Sequence, residues 1–390
     1  MIKNINPSQC CGCTACASIC THEAITMQPD VFGFLYPVVD ESKCTNCGLC
    51  GKVCAFHSGY NKELNLPEPL AFAARHKDMN QIAASQSGAA FAALSDWILE
   101  QGGVIYGVGY EWHFRVAHKR AVTKEQRDEF RGSKYVQSDL NTVFKQVKKD
   151  LKDGLIVMFS GTPCQTAGLT SFIGKALREN LFVMDIVCHG VPAPYVWKDY
   201  IDYLERKEGG IIIGVNFRDK KLKGWHSHVE SFCFDNDNTI HTYTYTYIFY
   251  KHIMFRHSCG ECPYTNLKRP SDVTVADFWG IEKTSAAYLG EDNKGCSLML
   301  INTEKGKAWF EQIKDRMNVH QVSPKECLQP NLQQPSQMHP KRNEFENYYQ
   351  RYGFEKTMKK FGLMGWRKVL NDYNQAVKYK IKSVIQRFFI

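Results

Sequence analysis

Short apolar runs and segments with helical periodicity alternate along the chain from residue 70 onward. The apolar runs have the length of buried strands, and the segments between them repeat their apolar residues every three or four positions. The predicted strands are 70–75, 104–110, 155–159 and 181–187, and the predicted helices are 88–101, 141–151, 164–174 and 192–205. This order predicts an α/β domain with a largely parallel sheet.

Two regions depart from this alternation. Residues 24–27 and 34–36 are short strand-like runs around a turn at 30–33, which predicts a hairpin. Between residues 211 and 250, Thr and Tyr alternate with apolar residues, notably in HTYTYTYIFY, so we expect antiparallel strands there and a mixed sheet.

The polar stretch 58–69 predicts a linker. The predicted fold class is therefore α+β to α/β: a small domain over 1–57, a linker over 58–69, a larger α/β domain over 70–340 and a helical tail over 341–390.

Composition excludes several classes of protein. The chain has 390 residues, of which 44% are hydrophobic and 23% charged, so a globular protein with a sizeable core is expected. No run approaches 18 apolar residues, so no membrane-spanning helix is predicted. The first residues lack the apolar stretch of a secretory signal. We therefore expect a cytoplasmic protein whose 16 cysteines are metal ligands or catalytic thiols.

The cysteines before residue 55 carry the most specific motif. Cys10, Cys13, Cys16 and Cys20 have the spacing C-x2-C-x2-C-x3-C, and Cys44, Cys47, Cys50 and Cys54 repeat it. In bacterial two-cluster ferredoxins, three closely spaced thiolates bind one 4Fe-4S cluster and the fourth binds the other. We therefore assign one cluster to Cys10, Cys13, Cys16 and Cys54, and the second to Cys44, Cys47, Cys50 and Cys20. Zinc ribbons are the alternative, but their four ligands come as two pairs. The surplus Cys11 is expected to pack rather than to ligate.

Four polar or glycine-rich loops lie at the ends of predicted strands and helices. They are 85–90 (SQSGAA), 131–138 (RGSKYVQS), 159–165 (FSGTPCQ) and 185–192 (DIVCHGVP). The first opens a helix and could offer backbone N–H groups to an anion, although a plain helix cap is commoner. The second combines cations, hydroxyls and an aromatic ring, which suits a phosphate and a ring system. The last two follow neighbouring strands, where parallel sheets bind ligands, so Thr162 is a candidate cofactor contact.

A second group of cysteines is spread through the larger domain. Cys164 and Cys188 lie in two of these loops, and Cys259 and Cys262 form a C-x2-C pair. Alone, the pair is either half a zinc site or a redox dithiol. Together the four cysteines supply the number of thiolates that a third 4Fe-4S cluster needs, and the residues by themselves leave these alternatives open. His189, next to Cys188, is the candidate for proton transfer.

The net charge of +9 is concentrated at the C-terminal end. Residues 341–390 contain twelve Lys or Arg and four Asp or Glu. From Val369 to Phe388 the apolar positions follow helical spacing, with lysines largely on other faces. This pattern predicts a helix that either packs on the core or lies on the inner face of a membrane as a peripheral contact. No nucleic-acid-binding motif accompanies the charge, so we expect no nucleic acid partner.

Five motifs in order resemble the beta-subunit family of deazaflavin-coenzyme (F420) hydrogenases and dehydrogenases. They are RGSKYVQS, SGTPCQ, DIVCHGVP, CGECPYTN (259–266) and DVTVADFWG (272–280), preceded by the fused ferredoxin module. The resemblance implies an FAD-containing electron-transfer domain. It implies that Gly132, Ser133, Lys134, Tyr135 and Gln137 lie near the flavin and that Ser87 and Gly88 meet its pyrophosphate. It also implies that Cys164, Cys188, Cys259 and Cys262 hold a cluster close to the flavin.

Three functions follow from these predictions. The first is an enzyme that passes electrons from ferredoxin, or another redox protein, through 4Fe-4S clusters and FAD to a small organic substrate. The second is an electron-transfer subunit that oxidises the reduced deazaflavin coenzyme for a partner enzyme. The third is an interaction protein whose clusters are only structural. We favour the first, because a chain with its own two-cluster module needs only a soluble electron donor.

Overall fold

The computed structural model of the chain describes residues 2, 6–58 and 60–365. Its strands are β1 Ile25–Pro29, β2 Leu35–Val39, β3 Asn65–His76, β4 Val104–Tyr110, β5 Val116–Ala121, β6 Val157–Gly161, β7 Leu181–Ile186, β8 Ile212–Asn216, β9 Glu230–Phe234, β10 Thr239–Thr242, β11 Val273–Asp277, β12 Ser297–Thr303 and β13 Met317–Val322. Its α-helices are α1 Ala15–Ile19, α2 Leu49–Lys52, α3 Ala55–Ser58, α4 Met79–Ala84, α5 Ala90–Glu100, α6 Lys124–Asp128, α7 Val143–Lys152, α8 Pro163–Ile173, α9 Pro194–Glu208, α10 Lys220–Lys223, α11 Thr244–Tyr250, α12 Glu304–Ile313 and α13 Arg342–Phe361.

An eight-stranded mixed sheet forms the centre of the larger domain. Its strand order is β13-β3-β12-β11-β7-β6-β4-β5. The neighbours β11, β7, β6 and β4 run parallel, and the remaining pairs are antiparallel. Side chains of α5 and α12 pack on one face, and those of α7 and α8 pack on the other. The predicted α/β class with a mixed sheet is therefore confirmed. Because parallel strands end at the same edge, the loops after β6, β7 and β11 converge there.

Strands β8, β9 and β10 form a separate antiparallel sheet, as expected for part of 211–250. The strand prediction is wrong for the second half of HTYTYTYIFY, which forms α11. Tyr245, Ile248 and Phe249 are buried at helical spacing. The buried carboxylate of Glu230 accepts hydrogen bonds from backbone N–H groups in the first turn of this helix. These tertiary contacts outweigh the strand propensity of Thr and Tyr.

The N-terminal module is built around the β1–β2 hairpin, which confirms the predicted hairpin. The hairpin turn carries Phe32 and Phe34, which are both fully buried. The ring of Phe32 lies 5.9 Å from that of Phe345 and 5.4 Å from that of Tyr349, both on α13. The backbone N–H of Tyr195, in α9, donates to the Phe32 carbonyl at 3.0 Å. The module is thus packed into the core of the larger domain.

The sheet begins inside the stretch predicted as a linker. β3 starts at Asn65, which pairs with Thr303 of β12. The Asn65 side-chain amide also donates to the backbone oxygen of Arg269 at 2.8 Å. Pro67 and Glu68 are exposed, whereas the second half of the strand is buried. The polar composition of 65–69 therefore marks the solvent-exposed end of a strand.

The predicted C-terminal tail is described as far as residue 365. α13 covers its first part and breaks at Gly353, where φ is +74°. The amphipathic segment from Val369 to Phe388, and with it the prediction of a membrane contact, lies outside the described residues. Across residues 2, 6–58 and 60–365, no helix combines the length and apolarity that a bilayer-spanning helix requires.

Gly168 of α8 is a point of close approach between the larger domain and the first cysteine quartet. A Cβ atom at Gly168 would lie 2.6 Å from the Sγ of Cys13 and 2.8 Å from its Cβ. We expect Gly168→Ala to lower stability by about 1–3 kcal/mol, because the added methyl group overpacks this contact. The midpoint of denaturant unfolding and the rate of iron release to a chelator would both show it. Ser171→Ala, on a partly exposed side of the same helix, is the control, and equal behaviour of the two variants would contradict the contact.

Candidate functional site

The two cysteine quartets form two separate ligand sets in the module. Cys44, Cys47 and Cys50 line one small cavity, and the fourth cysteine of that cavity is Cys20 from the first quartet. In the other set, burial and the thiols of Cys13, Cys10 and Cys54 raise the pKa of Cys16 well above its usual value, which puts these four sulfurs near one another. Each set thus takes its fourth cysteine from the opposite quartet. This is the crossed arrangement of two-cluster ferredoxins.

The ligand set that contains Cys20 is the outer of the two. Cys47 is exposed, whereas the Cys16 of the inner set is buried. Val38 and Leu49, beside this cavity or on its rim, are large apolar residues with 44% and 39% exposure. The outer set therefore lies close to the surface.

The four scattered cysteines of the larger domain also meet at one place. Cys164 follows β6, Cys188 follows β7, and Cys259 and Cys262 lie in the 3-10 turn at 257–261 and directly after it. All four line the same small cavity. The backbone N–H groups of Val191 and Gly190 donate to the sulfurs of Cys259 at 3.3 Å and Cys188 at 3.4 Å. Such N–H to sulfur bonds stabilise thiolate ligands of an iron–sulfur cluster.

The zinc and dithiol alternatives for this set fit the geometry less well. Zinc–sulfur bonds of 2.3 Å put the sulfurs of a tetrahedral site about 3.8 Å apart. Within the described residues, the one group of three or more His, Cys, Asp or Glu side chains with ligand atoms within 4.8 Å of one another contains no cysteine. Burial raises the pKa of Cys259 and that of Cys262 to about 12, so a free pair would be an unreactive dithiol at neutral pH. The donor set therefore suits a cluster larger than a single ion.

Cys11 lies between the inner set of the module and this third set. Its side chain is 6% exposed, and the neighbouring thiols of Cys13 and Cys164 raise the pKa of Cys11 well above its usual value, so its sulfur lies near both. The backbone oxygen of Cys11 accepts a hydrogen bond from the Gln137 side chain at 2.9 Å. Cys11 packs as expected, but its position links two ligand sets, which the sequence did not indicate.

The main cavity opens at the carboxyl edge of the parallel strands and has a volume of about 310 Å³. Most of the residues predicted for a cofactor contribute to its wall: Ser87, Gly132, Ser133, Lys134, Tyr135 and Thr162. His189, the candidate for proton transfer, also lines it. Cys188 and His189 line both this cavity and the one that holds the four cysteines. The third ligand set is therefore adjacent to the main cavity.

Two predicted cofactor contacts lie elsewhere. Gly88 is absent from the cavity wall, and its N–H donates to the Ser297 side chain at 3.0 Å. A Cβ atom at Gly88 would come within 2.2 Å of the Ala74 carbonyl oxygen, so its glycine is required for packing. Gln137 faces the module, where it contacts Cys11 and accepts a hydrogen bond from Arg256 at 2.9 Å. Both residues lie next to the cavity wall without forming part of its surface.

A second cavity of about 250 Å³ adjoins the main one. The two share Gln86, Arg131 and the loop 132–134. Nε2 of Gln86 and Nε of Arg131 are buried donors that form no hydrogen bond within the described part of the chain. Gly132 has φ +78° and no protein atom within 4 Å of where a Cβ would stand. The joined cavities have the size of a cofactor site.

Lys134 does not present a free cation to this cleft. Its ammonium donates to the backbone oxygens of Glu129 at 3.0 Å, Arg131 at 3.0 Å and Gly132 at 3.3 Å. Burial lowers the pKa of Lys134 to about 7, and Glu129 offsets part of that shift. The side chain therefore holds the shape of the loop 129–134.

The far wall of the main cavity contains polar groups that the sequence analysis did not single out. Arg218 donates to Asp277 at 2.5 Å, and its guanidinium lies 5.0 Å from the Trp279 ring. The hydroxyl of Tyr250 is 2.9 Å from Nδ1 of His228. Burial, with a contribution from Arg218, lowers the pKa of His228 to about 4, so its imidazole is neutral at pH 7. Asp277 and Trp279 belong to the DVTVADFWG motif, whereas no local pattern marks Arg218, His228 or Tyr250.

His189 lies on the same wall as this group. Burial lowers the pKa of His189, and the neighbouring His252 lowers it further, so the neutral form is favoured. Its ring centroid is 6.4 Å from that of Phe249 and 6.5 Å from that of Tyr250. The wall therefore presents aromatic rings and neutral imidazoles, with the charge of Arg218 offset by Asp277.

Comparison with known proteins agrees with both parts of the chain. The family described as the C-terminal part of the coenzyme F420 hydrogenase/dehydrogenase beta subunit matches residues 156–326, and a 4Fe-4S dicluster domain matches residues 9–58. Among solved structures, one similar chain comes from the F420-reducing nickel–iron hydrogenase complex of Methanosarcina barkeri. The identity is 15%, the match covers 75% of this chain and 91% of that one, and the TM-score is 0.46. No curated protein gives a match.

The matched ranges contain the ligand sets described above. All eight quartet cysteines fall within residues 9–58, and Cys164, Cys188, Cys259 and Cys262 fall within residues 156–326. The chain is therefore an iron–sulfur electron-transfer protein related to the coenzyme F420 hydrogenase/dehydrogenase beta subunit, with a 4Fe-4S dicluster domain over residues 9–58.

Proposed function

We propose that the protein is an oxidoreductase that takes electrons from ferredoxin, or a similar one-electron protein donor, and passes them through three 4Fe-4S clusters and FAD to a small organic substrate. The observation that carries the proposal is the position of Cys164, Cys188, Cys259 and Cys262. They meet between the dicluster module and the main cavity, and Cys188 belongs to the walls of both cavities. A structural zinc site would have no reason to lie at that junction.

The ligand sets form a continuous path from the surface to the main cavity. The path begins at the exposed Cys47 in the outer set. It continues through the inner set to Cys13, whose pKa is lowered chiefly by the neighbouring thiol of Cys11. Cys11 lines the same small cavity as Cys164 of the third set, and Cys188 of that set borders the main cavity.

FAD in the joined cavities would exchange two electrons as a hydride on the substrate side and single electrons on the cluster side. The polar side chains of Gln86 and Arg131, which line both cavities, suit its pyrophosphate. Gly132 leaves room beside them, and Thr162 stands at the carboxyl end of β6. The volumes of about 310 and 250 Å³ are within the range of cofactor sites.

The far wall of the main cavity supports a planar substrate and a supply of protons. Trp279 and Phe249 offer ring faces. Tyr250, which is 42% exposed, can pass a proton from solvent through its hydroxyl to Nδ1 of His228. His189 can hold a proton close to the cluster side of the cavity. Because the charge of Arg218 is offset by Asp277, this wall favours a neutral substrate over an anionic one.

Cofactor content of anaerobically purified protein tests the proposal directly. We expect about twelve irons and one FAD per chain, with a band near roughly 400 nm that reduced ferredoxin bleaches. About eight irons would mean that the third set holds no cluster. Absence of flavin would contradict the proposal and favour an interaction protein with structural clusters.

Hydride transfer from the reduced deazaflavin coenzyme distinguishes the remaining alternative. Under the proposal, flavin in the protein is reduced rapidly by ferredoxin and slowly or not at all by this coenzyme. Rapid reduction by the coenzyme, with ferredoxin inactive, would instead assign the protein as the coenzyme-oxidising subunit of a partner enzyme. Stopped-flow absorbance of the flavin band measures both rates on the same preparation.

A further inference from the structure

Arg256 is a fully buried cation without a carboxylate partner among the described residues. Six arginines are at most 9% exposed: Arg75, Arg127, Arg218, Arg256, Arg269 and Arg342. All of them except Arg256 form an ion pair with an Asp or Glu. Arg256 is 0% exposed. Since burial of an uncompensated charge is costly, Arg256 requires a counter-charge of another kind.

The guanidinium of Arg256 points at the first cysteine loop of the module. Its Nε donates to the backbone oxygen of Cys10 at 2.7 Å. One terminal nitrogen donates to the Leu35 backbone oxygen at 2.8 Å and lies 3.6 Å from the Sγ of Cys10. The other donates to the side-chain oxygen of Gln137 at 2.9 Å, and the Tyr36 ring lies 4.1 Å away. Apart from the Cys10 sulfur, these partners are neutral, so they satisfy hydrogen bonds without balancing the charge.

We propose that the 4Fe-4S cluster of Cys10, Cys13, Cys16 and Cys54 is the counter-charge of Arg256, and that Arg256 raises the reduction potential of this cluster. A cubane with four thiolates carries about −2 when oxidised and about −3 after it gains one electron. A fixed positive charge in a buried, low-dielectric environment stabilises the more negative state. Arg256 stays protonated throughout, so the cluster takes one electron from the ferredoxin-type donor and passes it on without moving a proton.

The backbone of Arg256 also connects the module to the third ligand set. Its N–H donates to the Val191 carbonyl at 3.0 Å, and its carbonyl accepts from the N–H of Cys259 at 3.0 Å. Val191 in turn donates to the Cys259 sulfur at 3.3 Å. Arg256 therefore lies between two adjacent steps of the electron path, where the potential of the inner cluster determines the driving force. The inference rests on the dicluster domain and does not depend on the flavin or on the substrate.

A redox titration of the whole protein, followed by electron paramagnetic resonance, tests the inference. We expect Arg256→Gln to weaken reduction of one cluster at least tenfold, which corresponds to about 59 mV for a one-electron couple. At least one other cluster of the same molecule should keep its midpoint, because the outer set contains Cys20 and Cys44 and not Cys10. Arg256→Lys keeps the charge and should stay near the original midpoint. Tyr36→Phe removes only a hydroxyl without a hydrogen-bond partner in the described residues and serves as the local control.

The variants separate a charge effect from a packing effect. Equal shifts in the Gln and Lys variants, or no shift in the Gln variant, would overturn the inference. Arg256→Gln could fail to retain the inner cluster, in which case iron content separates the charge effect from the packing effect. Loss of about four irons in the Gln variant but not in the Lys variant supports the counter-charge role. Equal loss of iron in both would show that the guanidinium acts through packing alone.

Discussion

Replacing Cys188 with alanine is expected to remove about four irons per chain and to stop efficient transfer of electrons from ferredoxin to the flavin. Cys188 is the ligand that borders both the third cluster site and the main cavity. Loss of a residue that only supports a metal ligand lowers activity by up to roughly 100-fold. Because Cys188 is itself a proposed ligand, its loss should slow flavin reduction by more than that. Iron analysis and stopped-flow reduction of the flavin by reduced ferredoxin measure the two effects. Direct chemical reduction of the bound flavin should remain possible.

Cys233→Ala provides the matched control for this experiment. Cys233 is exposed on β9 and belongs to none of the three ligand sets. Its replacement should leave iron content and the rate of flavin reduction unchanged. If Cys188→Ala also retains about twelve irons and a normal rate, the proposed path through the third set is wrong. Loss of iron with a normal rate would mean that the cluster exists but is structural.

Gly88→Ala is expected to prevent normal folding, with a loss of stability of at least about 3 kcal/mol. The new Cβ would lie 2.2 Å from the carbonyl oxygen of Ala74 and 2.6 Å from the backbone nitrogen of Ser297. Both atoms belong to paired strands of the central sheet, β3 and β12. Since these backbones cannot separate without breaking their ladder, the overlap cannot be relieved by rotation of a side chain. The yield of soluble protein and the denaturation midpoint measure the effect.

Gly132→Ala distinguishes packing from cofactor binding at these two glycines. Gly132 has φ +78° and no atom within 4 Å of an added Cβ. Its replacement costs only the left-handed backbone strain of about 1–2 kcal/mol, so the protein should fold. Because Gly132 lines both cavities, we expect the added methyl group to lower retention of flavin. If Gly88→Ala folds with a normal midpoint and loses only its flavin, Gly88 contacts the pyrophosphate as the family resemblance implies.

Much of the proposed electron path was predictable because its candidate ligands are local in the sequence. Three cysteines of each quartet are separated by two residues, so they surround one cluster whatever the rest of the chain does. Cys164 and Cys188 follow two parallel strands that are neighbours in the sheet, which brings their loops to one edge. The C-x2-C pair at Cys259 could be recognised in the sequence. No local pattern, however, specifies that this pair meets Cys164 and Cys188 at that edge of the sheet.

The residues that sequence reasoning missed or misplaced act over long separations. Arg256 contacts Cys10 across 246 positions, and Arg218 pairs with Asp277 across 59. Such pairs leave no periodic signal, because each partner is an ordinary polar residue in its own segment. The place of Gly88 before a helix suggests a phosphate contact, whereas its actual neighbours are backbone atoms of two strands, one of them 209 positions away.

By itself, the sequence determined the class of the sheet, the two crossed ligand sets and the loops at the carboxyl edge. These depend on strand periodicity and on short cysteine spacing, which operate within a few residues. Only the tertiary structure decided that the module packs into the larger domain, that Cys11 joins two ligand sets, and that Arg256 lies buried beside Cys10. The physical reason is that burial and the pairing of charges depend on which distant segments meet, and the packing of the whole chain determines those meetings.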